Sequence, residues 1–125
     1  MKSTYGCPVE LALDLIGGKW KTVIVARLKQ GPMSYGEMRR AIPGLADKML
    51  TQRLRELEDC GFICRESEKG RYLITEEGAS LAPILEALYV WGREAAPRKG
   101  ARFAGDVVFP PLDQVERPVI KSRQA

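Results

Sequence analysis

Four polar side chains, Lys48, Thr51, Gln52 and Arg55, crowd one face of the stretch ADKMLTQRLRELEDCGF, residues 46–62. Leu50, Leu54 and Leu57 recur at i, i+4 and i+7, which marks the buried side of a helix. Lys48, Gln52 and Arg55 fall nearly opposite, and Thr51 flanks them. Such a set can read base edges: glutamine pairs with adenine, lysine with guanine, and threonine meets a thymine methyl or a phosphate. Arg55, and Arg53 closer to the side of the wheel, suit phosphates. An ordinary solvated helix face has the same composition, and Arg53 equally suits an ion pair with a nearby glutamate. The face alone therefore does not decide the matter; the elements around it must.

The second reactive group is Cys7, which directly precedes Pro8 at a helix start. A thiolate is favoured at a helix N-terminus, where reactivity rises. The competing assignment is a small buried hydrophobe. Cys60 and Cys64 flank the joint after the polar-faced helix and are expected to pack. Three cysteines are too few for a disulfide framework, and a cysteine-only zinc site would lack a fourth thiolate. There is no histidine, which removes His-dependent triads, metal ligands and general bases together. No glycine-rich phosphate loop or dinucleotide fingerprint appears. The expectation is a protein that is not an enzyme and carries no cofactor or metal.

The chain has 125 residues, 45% hydrophobic and 29% charged, with a net charge of +4. These values suit one folded domain with an appendage and are compatible with a nucleic-acid partner. Positive charge gathers at the two ends of the folded region. Lys2, Lys19, Lys21, Arg27 and Lys29 stand against Glu10 and Asp14, and Arg93, Arg98, Lys99 and Arg102 stand against Glu94. No apolar run approaches the roughly 18 residues of a membrane span, and the N-terminus lacks the uninterrupted apolar core of a secretory signal. A cytoplasmic protein without a membrane partner is expected.

Local signals order the elements. Pro8 opens a helix that Gly17-Gly18 closes, and KWKTVIVARLKQG forms a second, buried on most sides and ended by Gly31-Pro32. Lys19 and Lys21 open this second helix, where a phosphate contact and plain solvation are equally compatible. SYGEMRRAI is a short helix with Ser34 and Glu37 at capping-box spacing. After the Pro43-Gly44 turn, the polar-faced helix runs from about Ala46 to Cys60. FICRES and RYLIT form a hairpin turning at Gly70, on which Arg65, Lys69 and Arg71 place positive charge, diluted by Glu66 and Glu68. Thr75 caps a last helix through EEGASLAPILEALYVWGREA, where Pro83 kinks or delays the first turns. Residues 1–96 form the domain. Residues 97–125, with four prolines and no helical period, form an extension in which GDVVF suits a short strand.

Three helices, a turn, a fourth helix, a hairpin and a final helix make a mainly α winged helix-turn-helix. In this context the second helix of the pair enters the major groove of double-stranded DNA, and the first half of that helix contacts the bases. The residues Cys7 to Gly92 also resemble the HxlR family of winged helix-turn-helix transcriptional regulators, which is MarR-like. The resemblance rests on the Cys-Pro opening, LIGGKW, EMRRAIPG, KMLTQRLRELE followed by GFICR, then YLITEEG and a late WG. It implies a homodimeric DNA-binding repressor or activator. It implies that Lys48, Thr51, Gln52, Arg53 and Arg55 belong to the reading helix. It further implies a dimer interface of the first and last helices, here Leu11, Leu15, Leu81, Ile84, Leu85, Leu88 and Trp91, and thiol sensing at the position of Cys7. Ala46 departs from the family's serine-like cap, and the hairpin ESEKGRYL is shorter than the family's proline-bearing wing.

Two other functions compete. One is a regulator whose small-molecule effector lies near the dimer helices, around Trp20, Tyr89 and Trp91. The other is a winged-helix module that binds proteins.

Overall fold

A computed structural model describes residues 3–103. The helices are α1 (Pro8–Ile16), α2 (Lys21–Lys29), α3 (Tyr35–Ala41) and α4 (Asp47–Asp59). The strands β1 (Ile63–Arg65) and β2 (Tyr72–Ile74) follow, then α5 (Glu76–Ala79) and α6 (Ala82–Lys99). The GDVVF segment lies outside the described residues.

The helix starts follow local chemistry. Ser34 caps α3 in a reciprocal box: the Glu37 N–H donates to Ser34 Oγ at 3.1 Å, and the Ser34 N–H donates to Glu37 Oε1 at 3.0 Å. At α4 the N-cap position is Ala46, which makes no side-chain cap. The helix begins at Asp47, as the missing cap at Ala46 allows. Its end is built from side-chain-free geometry. Gly61 has φ 81°, the left-handed conformation that glycine adopts at least cost. There the Gly61 N–H donates to Glu58 O at 2.9 Å and the Phe62 N–H to Leu57 O at 3.0 Å, a Schellman closure that sends the chain into β1.

β1 and β2 pair antiparallel, with Ile63 opposite Ile74 and Arg65 opposite Tyr72. A bridge from Met33 to Tyr72 adds an edge contact just before α3, so the hairpin is pinned to the helix-turn-helix it follows. One core gathers Ile24, Val25 and Leu28 from α2, Met38 from α3, Leu50, Leu54 and Leu57 from α4, and Phe62, Ile63 and Tyr72 from the hairpin.

The continuous helix expected after Thr75 is two helices. Thr75 caps α5, its Oγ1 accepting from the Gly78 N–H at 3.0 Å. Pro83 stands in the first turn of α6, where its missing N–H costs nothing. At the other end α6 passes Ala96 and Pro97 and stops at Lys99, so the helix exceeds the domain boundary expected at residue 96.

The carboxyls of Glu37, Glu56 and Glu66 all sit below the usual carboxylate range. The Ser34 backbone N–H lowers Glu37. Burial raises Glu56, but hydrogen bonds from Arg53 and Lys21 outweigh it. The Arg71 hydrogen bond lowers Glu66. A depressed carboxyl contributes stability above its unfolded value and loses it as the pH falls through its folded value. The melting midpoint is therefore expected to hold near neutrality and fall below about pH 4.5. Glu56→Gln, with no carboxyl to protonate there, is expected to fall less steeply, as read by circular dichroism melts. An equal slope removes Glu56 from the acid response.

Candidate nucleic-acid interface

α4 presents Lys48, Thr51, Gln52 and Arg55 on its exposed side, while Leu50, Leu54 and Leu57 are 0–1% exposed beneath. The Pro43-Gly44 turn sets α3 against the first turn of α4. There the Tyr35 hydroxyl lies 3.1 Å from Asp47 O, 3.0 Å from Asp47 Oδ1 and 3.2 Å from Thr51 Oγ1. Arg39 Nε reaches the same Oδ1 at 2.5 Å, and Arg39 also donates to Leu45 O. Nothing in the spacing of the residues announced this tie between the helices.

Two of the candidate phosphate contacts are engaged within the fold. Lys21 is 7% exposed and ion-pairs with Glu56 at 3.3 Å. A buried ammonium bound to a carboxylate is not offered to an outside anion, and breaking such a pair leaves an uncompensated charge. Arg53 has its Nε on Lys19 O at 2.9 Å and its Nη1 on Glu56 Oε1 at 2.6 Å. Of the two roles open to it, the structure gives it the ion pair. Together these contacts tether α4 to the loop before α2, where Trp20 takes φ 82°, an uncommon conformation for a residue with a side chain. Lys19 lies in that loop rather than in α2, exposed, with Nζ 5.2 Å from the Trp20 ring centroid.

The wing is also more neutral than its composition. Arg65 stacks on Tyr72 at 4.6 Å, hydrogen-bonds its hydroxyl, and lies 3.7 Å from Glu58. Arg71 pairs with Glu66 at 2.8 Å. Lys69 is exposed at the tip. On α4 the exposed residues that can meet a polyanion are thus Lys48, Thr51, Gln52 and Arg55; Lys19 before α2 and Lys69 on the wing are exposed as well.

The apolar residues assigned to a dimer divide. Leu15, Leu81 and Leu85 pack against the protomer's own core. Leu11, Ile84, Leu88 and Trp91 are exposed, Trp91 by 65%. Val9 and Leu13, exposed by 64% and 61%, form a second exposed apolar pair on the side of α1 away from Leu11; their i, i+4 spacing was the available signal. Cys7 is exposed at the N-cap of α1, Cys60 packs against the core, and Cys64 is exposed on β1 rather than packed. Trp20 is half-buried on the core, and Arg93 lies over Tyr89 at 5.5 Å. Neither they nor Trp91 line the apolar crevice between Ile16, Val25, Leu57 and Leu85. No helix of the described residues is long and apolar enough to cross a membrane.

Comparison with known proteins agrees with this architecture. The family model of the HxlR-like helix-turn-helix matches residues 15–100; Cys7 lies outside the match. An uncharacterized HTH-type transcriptional regulator of Methanothermobacter thermautotrophicus is 45% identical over 94 residues, spanning 71% of this chain and 72% of the relative. The structure of the redox regulator HypR in its reduced form has a TM-score of 0.69 at 36% identity, covering 75% of this chain and 98% of that one. Quinone-bound YodB from B. subtilis has a TM-score of 0.64 at 32% identity, covering 70% and 99%. With a helix-turn-helix, a hairpin wing and an uncovered polar face on its second helix, the chain belongs to the HxlR-like family of DNA-binding, winged helix-turn-helix transcriptional regulators.

Proposed function

We propose that the protein acts without catalysis, as a homodimer that reads a pseudo-palindromic operator in double-stranded DNA. The carrying observation is the exposed face Lys48–Thr51–Gln52–Arg55 on an α4 whose opposite side is buried and whose first turn is tied to α3. Gln52 and Lys48 read bases and Arg55 binds phosphate. Lys19 and Lys69 contact phosphates at the edge of the footprint. A second copy covers Val9 and Leu13 on α1 and Ile84, Leu88 and Trp91 on α6, because large apolar side chains left exposed at helical spacing mark an interaction surface. Two-fold symmetry then places the two α4 helices in successive major grooves, with half-sites about one helical turn, or a multiple, apart.

Cys7 serves as the regulatory thiol. It is exposed at the start of α1, beside the apolar surface assigned to the dimer, and the similar HypR is a redox regulator. In this scheme Cys7 and a partner thiol each give up one proton and one electron to an oxidant and join in an S–S bond, which shifts the two reading helices. A quinone is a second class of effector, since YodB binds one.

The test is selection of binding sites from random DNA, then gel shifts on the selected site with excess competitor, with and without diamide. A competitor-resistant shift is expected, abolished on oxidation and retained by oxidised Cys7→Ser. A shift indifferent to diamide in the native protein removes the thiol switch and keeps the DNA-binding role. Failure to enrich any site removes the DNA-reading role itself.

A further inference from the structure

Asp47 is an acid in the first turn of the helix that faces a polyanion, and the role of that helix does not account for it. The helix dipole favours an acid there, but the dipole does not fix where the carboxylate points. Here it is fixed from α3: the Tyr35 hydroxyl and Arg39 Nε both engage Oδ1. A carboxylate has about four acceptor positions. These two contacts use part of them, and the side chain remains 69% exposed. Asp47 also stands four residues before Thr51, so both lie on one edge of the face that carries Lys48 and Gln52. The same Tyr35 hydroxyl bonds Thr51 Oγ1, so one phenol orients two members of that edge.

Resting on the DNA-reading role proposed above, we infer that Asp47 is a specificity-determining residue that selects cytosine at one position of each half-site. A carboxylate only accepts. In the major groove guanine shows two acceptors and thymine an acceptor and a methyl, so both repel it. Adenine sets an acceptor, N7, beside its N6 amino donor. Cytosine presents the N4 amino group with the paired guanine O6 on one side but only its own C5–H on the other, whereas the adenine amino is flanked by acceptors on both sides, and cytosine is the established partner of Asp and Glu. Against phosphates the same charge is repulsive, so Asp47 also weakens binding to DNA of the wrong sequence. Tyr35 and Arg39 are the positioning residues that hold the carboxylate.

Site selection from random DNA is run with the native protein, Asp47→Asn and Asp47→Ala. Each variant is checked by melting, and selected sites are ranked by competition. The native motif is expected to contain a cytosine that Asp47→Ala no longer requires, with discrimination there falling about tenfold. Asp47→Asn, whose amide both donates and accepts, is expected to move that position toward adenine, and all other positions stay. Motifs identical in the three proteins, with affinity merely lowered throughout, overturn the inference and leave Asp47 as a helix-terminus charge. A native protein that enriches no motif overturns the DNA-reading role, and the inference falls with it.

Discussion

Replacing Gln52 and Arg55 together by alanine is expected to weaken operator binding by about 100-fold or more, while the protein keeps its fold and its dimer. Each well-formed contact to a base is worth roughly 1–3 kcal/mol, and the double variant removes one base reader and one phosphate ligand. Both side chains are exposed on α4, so truncation leaves no cavity and strands no buried partner. The two effects separate by their salt dependence. Arg55→Ala lowers the slope of log K against log salt by about 1 for each phosphate it no longer neutralises. Gln52→Ala leaves the slope alone and relaxes the base preference. Fluorescence anisotropy across a salt series measures both. An operator affinity within about threefold of the native protein would move the reading surface off α4 altogether. Survival of a protein complex in a variant that no longer binds DNA would favour the interaction-module reading.

The largest stability effect is expected at Gly78. A Cβ there would lie 2.1 Å from Phe62 O and 2.8 Å from Ile74 Cγ1. Phe62 O is backbone and already accepts from the Thr75 N–H at 3.0 Å, so no rotamer change relieves the overlap. Thr75 binds the corner twice more, accepting from Gly78 N and donating to Gly61 O at 2.6 Å. A methyl group must therefore lever α5 away from the end of α4 and the root of the wing. Gly78→Ala is expected to cost about 3 kcal/mol or more, the upper end of overpacking, and to lower Tm by more than about 10 °C. Gly92→Ala is the control. It lies within α6 and its Cβ would meet nothing within 4 Å in its own protomer, so the change is expected to stabilise the isolated protomer by about 0.5–1 kcal/mol through helix propensity. Because it shares the α6 face of Leu88, the melt is run at a concentration where the dimer is dissociated. If the two variants melt alike, the tight corner is not where the fold is least tolerant.

These two substitutions also separate what a linear chain shows from what it hides. The leucine period of α4, the Ser34–Glu37 box, the stop at Gly61 and the hairpin either side of Gly70 all depend on residues within a turn or two of each other. Their physics is local: backbone N–H groups need acceptors close by, and a helix of this period can turn only one side inward. The element order, and with it the winged helix-turn-helix, follows from such local signals. So does the polar face of α4, because a buried side defines its opposite.

What no local pattern contains is which charge finds which partner across the fold. Lys21 and Lys19 are near neighbours in sequence, yet one is buried on Glu56 and the other is exposed. Arg53 and Arg55 are two residues apart, yet Arg53 bonds the carbonyl of a residue 34 positions away. A helical wheel gives the direction of a side chain about its own axis, not the element standing in that direction. The same ignorance of neighbours explains why α6 and the turn before it split their apolar residues, with Leu81 and Leu85 packed inward and Ile84, Leu88 and Trp91 left outside. It explains Asp47 as well, whose aim depends on Tyr35 and Arg39 across the turn. The chain alone decides which residues can meet DNA; the packing of α2, α3 and the wing around α4 decides which of them are withdrawn into ion pairs, because a charge inside the fold must be matched before it can be spared for a ligand.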